Sequence, residues 1–122
     1  MLLADGCTST ALPDPYHSLY VTNGTDVPVV VVVNGLALDT LAPGGPALVM
    51  KEPDLPFPPW AVEARNAGGR VLARLDVPSL DEVGPQRGYV ERADLACGRL
   101  EMWVGPPPAG PPFSPDPARP CD

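Results

Sequence analysis

Three cysteines, one histidine and fifteen carboxylates are the residues from which this chain could build chemistry. A serine or cysteine nucleophile needs a base beside it, most often histidine. His17 is the sole histidine, and Ser9, Ser18, Ser79 and Ser114 stand in no nucleophile-elbow pattern. A two-histidine copper centre is equally out of reach, although Cys97, Met50 and Met102 are the matching ligand types. Tetrahedral zinc calls for ordered Cys/His spacing, which Cys7, Cys97 and Cys121 lack. Paired carboxylates can cleave glycosidic bonds without histidine. Glu63, Asp76, Glu91 and Asp94 fall on predicted strands, where outward-facing charge explains them, so a carboxylate-based hydrolase is the remote alternative. Asp81-Glu82 lies near Asp76 without the calcium-loop pattern, and no glycine-rich phosphate loop is present. The chain is expected to be non-catalytic, with no cofactor and no metal.

The cysteines fit a structural role better. Cys97 ends a predicted strand, and Cys121 ends a proline ribbon that otherwise has no attachment. A Cys97–Cys121 bridge is the favoured pairing, with Cys7–Cys121 and Cys7–Cys97 left open. On the chain-entropy argument such a bridge contributes on the order of 3 kcal/mol. It survives outside the reducing cytosol, so an extracytoplasmic location, in the cell envelope or secreted, is expected. Met1-Leu2-Leu3-Ala4 is too short for a secretory leader. Leu3-Ala4-Asp5-Gly6-Cys7 resembles the lipobox ahead of the lipidated cysteine of bacterial lipoproteins, with Asp5 untypical. Cys7 is thus a candidate lipidation site; the competing reading is a free thiol in a leader.

The formal net charge is -7. A polyanion is repelled by nucleic acid and by anionic membrane surfaces, so neither is an expected partner. No apolar run reaches the length of a membrane span, which leaves a lipid on Cys7 as the one expected membrane contact. The expected partner is a protein. Its candidate anchors are Phe57, Trp60 and Trp103, because aromatic side chains concentrate at interfaces. Each tryptophan adjoins prolines, however, and can instead bury its own loop or the tail. Arg65, Arg70, Arg74, Arg92 and Arg99 alternate with acids and read as cross-strand partners of Glu63, Asp76, Glu91 and Glu101. Asn23-Gly24-Thr25 forms a glycosylation sequon in a predicted turn.

Strands must position all of these groups. Residues 29–33 are five valines, followed by Asn34-Gly35 and Leu36-Ala37-Leu38. Branched side chains favour a pleated surface, and Asn-Gly supplies the two positive-φ residues of a type I′ turn, so a hairpin is predicted. Apolar side chains on both faces of the valine strand predict burial between two layers. Residues 18–21 read as an earlier strand and 22–25 as a turn. Residues 47–50 read as a short strand, 53–59 as a proline-rich loop, and 60–65 with 71–77 as a second hairpin around Gly68-Gly69. In the latter, Val71, Ala73, Leu75 and Val77 are expected on one face and Leu72, Arg74 and Asp76 on the other. Two more strands cover 89–95 and 100–104. The expected fold is all-β: a small immunoglobulin-like sandwich or partly open barrel of seven to eight short strands over residues 16–104. An irregular leader, 1–15, precedes it, and a proline-rich strap, 105–122, follows.

Several segments together resemble a family of small uncharacterised secreted proteins or lipoproteins of high-GC bacteria such as actinobacteria and chloroflexi. They are Val21-Thr22-Asn23-Gly24-Thr25-Asp26, Pro59-Trp60-Ala61-Val62-Glu63-Ala64-Arg65, Gly69-Arg70-Val71-Leu72, and the succession Cys97-Gly98-Arg99-Leu100, Trp103, Gly105-Pro106-Pro107 and Cys121. The resemblance implies envelope location, lipidation and a Cys97–Cys121 bridge, and no activity. The reading that follows is a non-catalytic extracytoplasmic binding or structural accessory domain, with a subunit of a larger cell-envelope assembly as the alternative.

Overall fold

Val29–Val33 (β2) and Leu36–Leu41 (β3) form the hairpin, and its turn has the backbone that Asn-Gly supplies: φ is 51° at Asn34 and 83° at Gly35. The computed structural model describes residues 16–51, 54–110 and 114–122, and the leader reading with Cys7 falls outside them. The other strands are Leu19–Thr25 (β1), Leu48–Met50 (β4), Trp60–Arg65 (β5), Val71–Val77 (β6), Tyr89–Leu95 (β7) and Gly98–Val104 (β8). They make two antiparallel four-stranded sheets, β4-β1-β8-β7 and β3-β2-β5-β6, packed face to face. The architecture is a sandwich and does not close into a barrel. It shares two packed sheets with immunoglobulin-like domains while ordering its strands differently.

Each strand has one face in the core. Leu19, Val21, Leu100, Met102 and Val104 from one sheet meet Val29, Val31, Val33, Val62 and Val77 from the other. The valine strand is therefore not covered on both faces. Val30 is half-buried on the outer face, and Val32 is buried there between its cross-strand neighbours Ala37 and Glu63. The expected alternation in β6 also shifts. A bulge opposite Ala64 and Arg65 turns Leu72 into the core and leaves Val71 exposed, since one extra residue reverses every side chain beyond it.

Residues 22–25 are the largest departure from expectation. They continue β1 rather than turning, because Asn23 is needed inside. Its Nδ2 donates to the carbonyls of Val27 (2.8 Å) and Leu41 (3.2 Å). Its Oδ1 accepts from the Thr25 amide (3.0 Å) and hydroxyl (2.6 Å). The sequon asparagine is thus buried and fully engaged, with no free amide for a glycan in the folded domain. Asn23→Ala is expected to cost about 2–4 kcal/mol, because the Leu41 carbonyl and the Thr25 amide lose their buried partner; urea unfolding monitored by tryptophan fluorescence reads this directly.

Beyond β8 the chain doubles back. Prolines remove backbone donors, so few ladder bonds are available to hold it. Instead Cys121 is disulfide-bonded to Cys97 in the β7–β8 turn, with Cα atoms 6.1 Å apart. That turn is tight because Gly98, at φ 135°, sits where a Cβ would lie 2.2 Å from the Gly24 carbonyl oxygen. The Ala96 amide donates to the Arg119 carbonyl (3.0 Å), and the Arg119 guanidinium reaches the carbonyl of Leu72 on β6 (3.5 Å). Asn66 Nδ2 donates to the Cys121 carbonyl (3.0 Å), and Arg70 donates to the backbone oxygen of Asp122 (2.7 Å). The strap therefore ties both sheets together on the side where β6 and β7 form their edges.

Candidate functional site

With β6 and β7 bridged by the strap, the opposite side of the sandwich is bounded by edge strands β3 and β4 and carries exposed Leu36. Two adjoining clefts lie there, of about 310 and 370 Å³, sharing Leu38 and Asp54. Strand β3 contributes Leu36, Leu38 and Asp39; β4 contributes Leu48, Val49 and Met50. The connection to β5 supplies Asp54, Leu55 and Pro56. Met50 and Leu55 are buried floor, whereas Leu36 is 65% and Val49 50% exposed. Volumes of this size, lined by aliphatic side chains with a few polar groups, are typical of binding clefts.

Local chemistry holds the walls in place. Asn34, at the hairpin tip, donates from Nδ2 to the Pro59 carbonyl (3.2 Å) and accepts the Ala61 amide on Oδ1 (2.7 Å), lashing the β2–β3 turn to the start of β5. The loop wall is pinned by the Trp60 indole, whose Nε1 donates to the Pro56 carbonyl (2.8 Å). In β3 a register skip between Val31 and Val32 makes Leu38 the extra residue; Leu38 packs half-buried at the core mouth, and Asp39, opposite core-facing Val31, lies solvent-exposed on the same side of the sheet.

The aromatic anchors expected from sequence do not come together. Trp60 is 2% exposed and belongs to the core, which corrects its reading as a surface anchor: its register opposite Val77 points the ring inward. Phe57 is 80% exposed in the connection before β5 and lines neither cleft. Trp103 lies on the outer face of the other sheet, stacked on Tyr20 with ring centroids 5.2 Å apart. In register with that pair are Val49 and Val90, giving an apolar row across all four strands. A smaller hollow of about 200 Å³ separates β7 from Pro106–Ala109 of the strap.

Of the candidate carboxylates Glu63, Asp76, Glu91 and Asp94, all but Glu91 form ion pairs; Glu91, opposite core-facing Met102, makes none among the described residues. Arg74 bridges Glu63 (3.4 Å) and Asp76 (3.2 Å), and Arg65 also binds Glu63. Across β7 and β8, Arg99 pairs with Asp94 (2.9 Å) and Arg92 approaches Glu101 (4.0 Å). Arg70 donates to the backbone oxygen of Asp122 in the strap and not to a strand carboxylate. Glu63 and Asp76 lie on one sheet, Glu91 and Asp94 on the other. Cys97 is disulfide-bonded, and Met50 and Met102 are buried in the core. Among the described residues no three His, Cys, Asp or Glu are grouped to hold a metal ion, and no helix is long and apolar enough to cross a membrane. No protein-family model, curated protein or solved structure matches the chain.

Leu36, Leu38, Val49, Asp39 and Asp54 were not legible as a site from sequence. The one local signal was Leu36-Ala37-Leu38-Asp39, where leucines next to a tight turn precede a lone acid on a strand.

Proposed function

We propose that this is a non-catalytic binding or structural accessory domain that works outside the cytoplasm and docks a partner protein in the groove between β3 and β4. The observation that carries the reading is the asymmetry of the sandwich: the strap is tied across the side where β6 and β7 form edges, and the other side carries two adjoining clefts with exposed Leu36 and Val49 in their lining. Exposed apolar surface beside polar rims marks interaction sites in soluble domains. The disulfide supports an oxidising compartment, where such bonds persist. A lipid on Cys7, as in the resembling lipoproteins, would tether the domain to a membrane and leave the groove free.

A second reading, a subunit of a larger envelope assembly, draws on the apolar row Val49–Tyr20–Trp103–Val90 across an outer face. A photo-crosslinking residue placed at Leu36, at Val90 or at Ala61 in the native host separates the two. Adducts with one defined protein from Leu36 alone are expected. Adducts from Val90 alone favour the assembly, and none from Leu36 removes the groove reading.

A further inference from the structure

The occupant's chemistry can be taken further, on the groove reading just given. The carboxylates on the outer strand faces, Glu63, Asp76, Asp94 and Glu101, are each matched by an arginine of the same chain. The two that line the groove are not. Asp39 and Asp54 are exposed and make no ion pair among the described residues; Asp39 only accepts its neighbour Thr40's amide (2.8 Å). No lysine or arginine lines either cleft, and Lys51 is the nearest cation along the chain.

A second copy is a poor occupant. Each chain carries a net charge of -7, and a symmetric contact would bring Asp39 and Asp54 toward more acid. Sheet extension along β3 is also discouraged, because the skip at Leu38 and a charged aspartate on the core-side face of an edge strand are devices that block strand addition. Recognition then falls to side chains. We propose that the groove takes an apolar–basic segment of a partner protein, an aliphatic side chain seated between Leu38 and Leu55 with a lysine or arginine reaching Asp39 and Asp54.

The test is an NMR titration with a capped hexapeptide alternating leucine and lysine, beside its leucine–glutamate and serine–lysine counterparts. The leucine–lysine peptide should move amides of Leu36, Leu38, Asp39 and Leu55. Each control should bind about tenfold more weakly or worse, as should the same peptide to an Asp39→Asn/Asp54→Asn variant. Both aspartates are exposed and asparagine keeps their shape, so the core spectrum should not change. Raising salt from about 50 to about 500 mM should weaken binding. The proposal is overturned by equal binding of the lysine and glutamate peptides, by shifts confined to another face, or by no shift at millimolar peptide. Groove resonances that move with protein concentration alone would make a second copy the occupant and overturn it too. If Leu36 crosslinks a partner while peptide charge makes no difference, the groove stands and the basic segment falls; if Leu36 crosslinks nothing, the groove itself falls.

Discussion

Trp60→Ala is expected to cost about 3–5 kcal/mol of folding stability, as large aromatic truncations in cores do. That is a large share of the roughly 5–15 kcal/mol by which domains are stable. The ring is 2% exposed and also holds the groove loop through the Pro56 carbonyl, so the loss should loosen that wall as the core weakens. Trp103→Ala is the contrast. Its ring is half-buried against Tyr20, and losing that stack should cost about 1–2 kcal/mol. Chemical unfolding of the two variants reads the difference. Near-native stability in Trp60→Ala, with weakened partner binding, would restore it as a surface anchor.

The second large effect belongs to the disulfide. Cys97 and Cys121 are separated by 24 residues, and a loop of that length gives about 3.5 kcal/mol on the chain-entropy relation. Cys121→Ser should lower the urea midpoint accordingly, and dithiothreitol should do the same to the native protein with no further effect on the variant. Amide exchange should localise the change. The Ala96 amide, now bonded to the Arg119 carbonyl, and residues 114–122 should lose protection first, while β2 and β5 remain slow. Uniform acceleration across both sheets would mean that the strap is part of the core rather than a tie over one side.

What was legible in the sequence was local. Five branched residues ending in Asn-Gly define a hairpin within twelve or so positions, and the turn angles at Asn34 and Gly35 follow from residue type. The Cys97–Cys121 pairing was legible for a different reason: a proline ribbon without backbone donors needs some other attachment. What was hidden depended on register and strand order. Asn-Gly at 23–24 carries the same turn signal as Asn-Gly at 34–35, yet Asn23 serves buried carbonyls of Val27 and Leu41, groups that meet only after folding. Trp60 after two prolines reads equally well as loop or core until its pairing with Val77 fixes the face. The groove is the extreme case. Its walls come from β3 and β4, which become neighbouring edges because β2 and β1 lie in different sheets; no spacing within the chain encodes that.

The Cys97–Cys121 bridge ties the strap across one side of the sandwich, and the proposed binding role outside the cytoplasm requires a compartment where that bridge persists. Intact mass and peptide mapping of protein isolated from its native host without reductant, alkylated before and after reduction, test it most directly. The expected result is that Cys97 and Cys121 resist alkylation until reduction and appear in one linked peptide pair. Free alkylation of both in the unreduced protein would contradict the bridge and, with it, the extracytoplasmic reading.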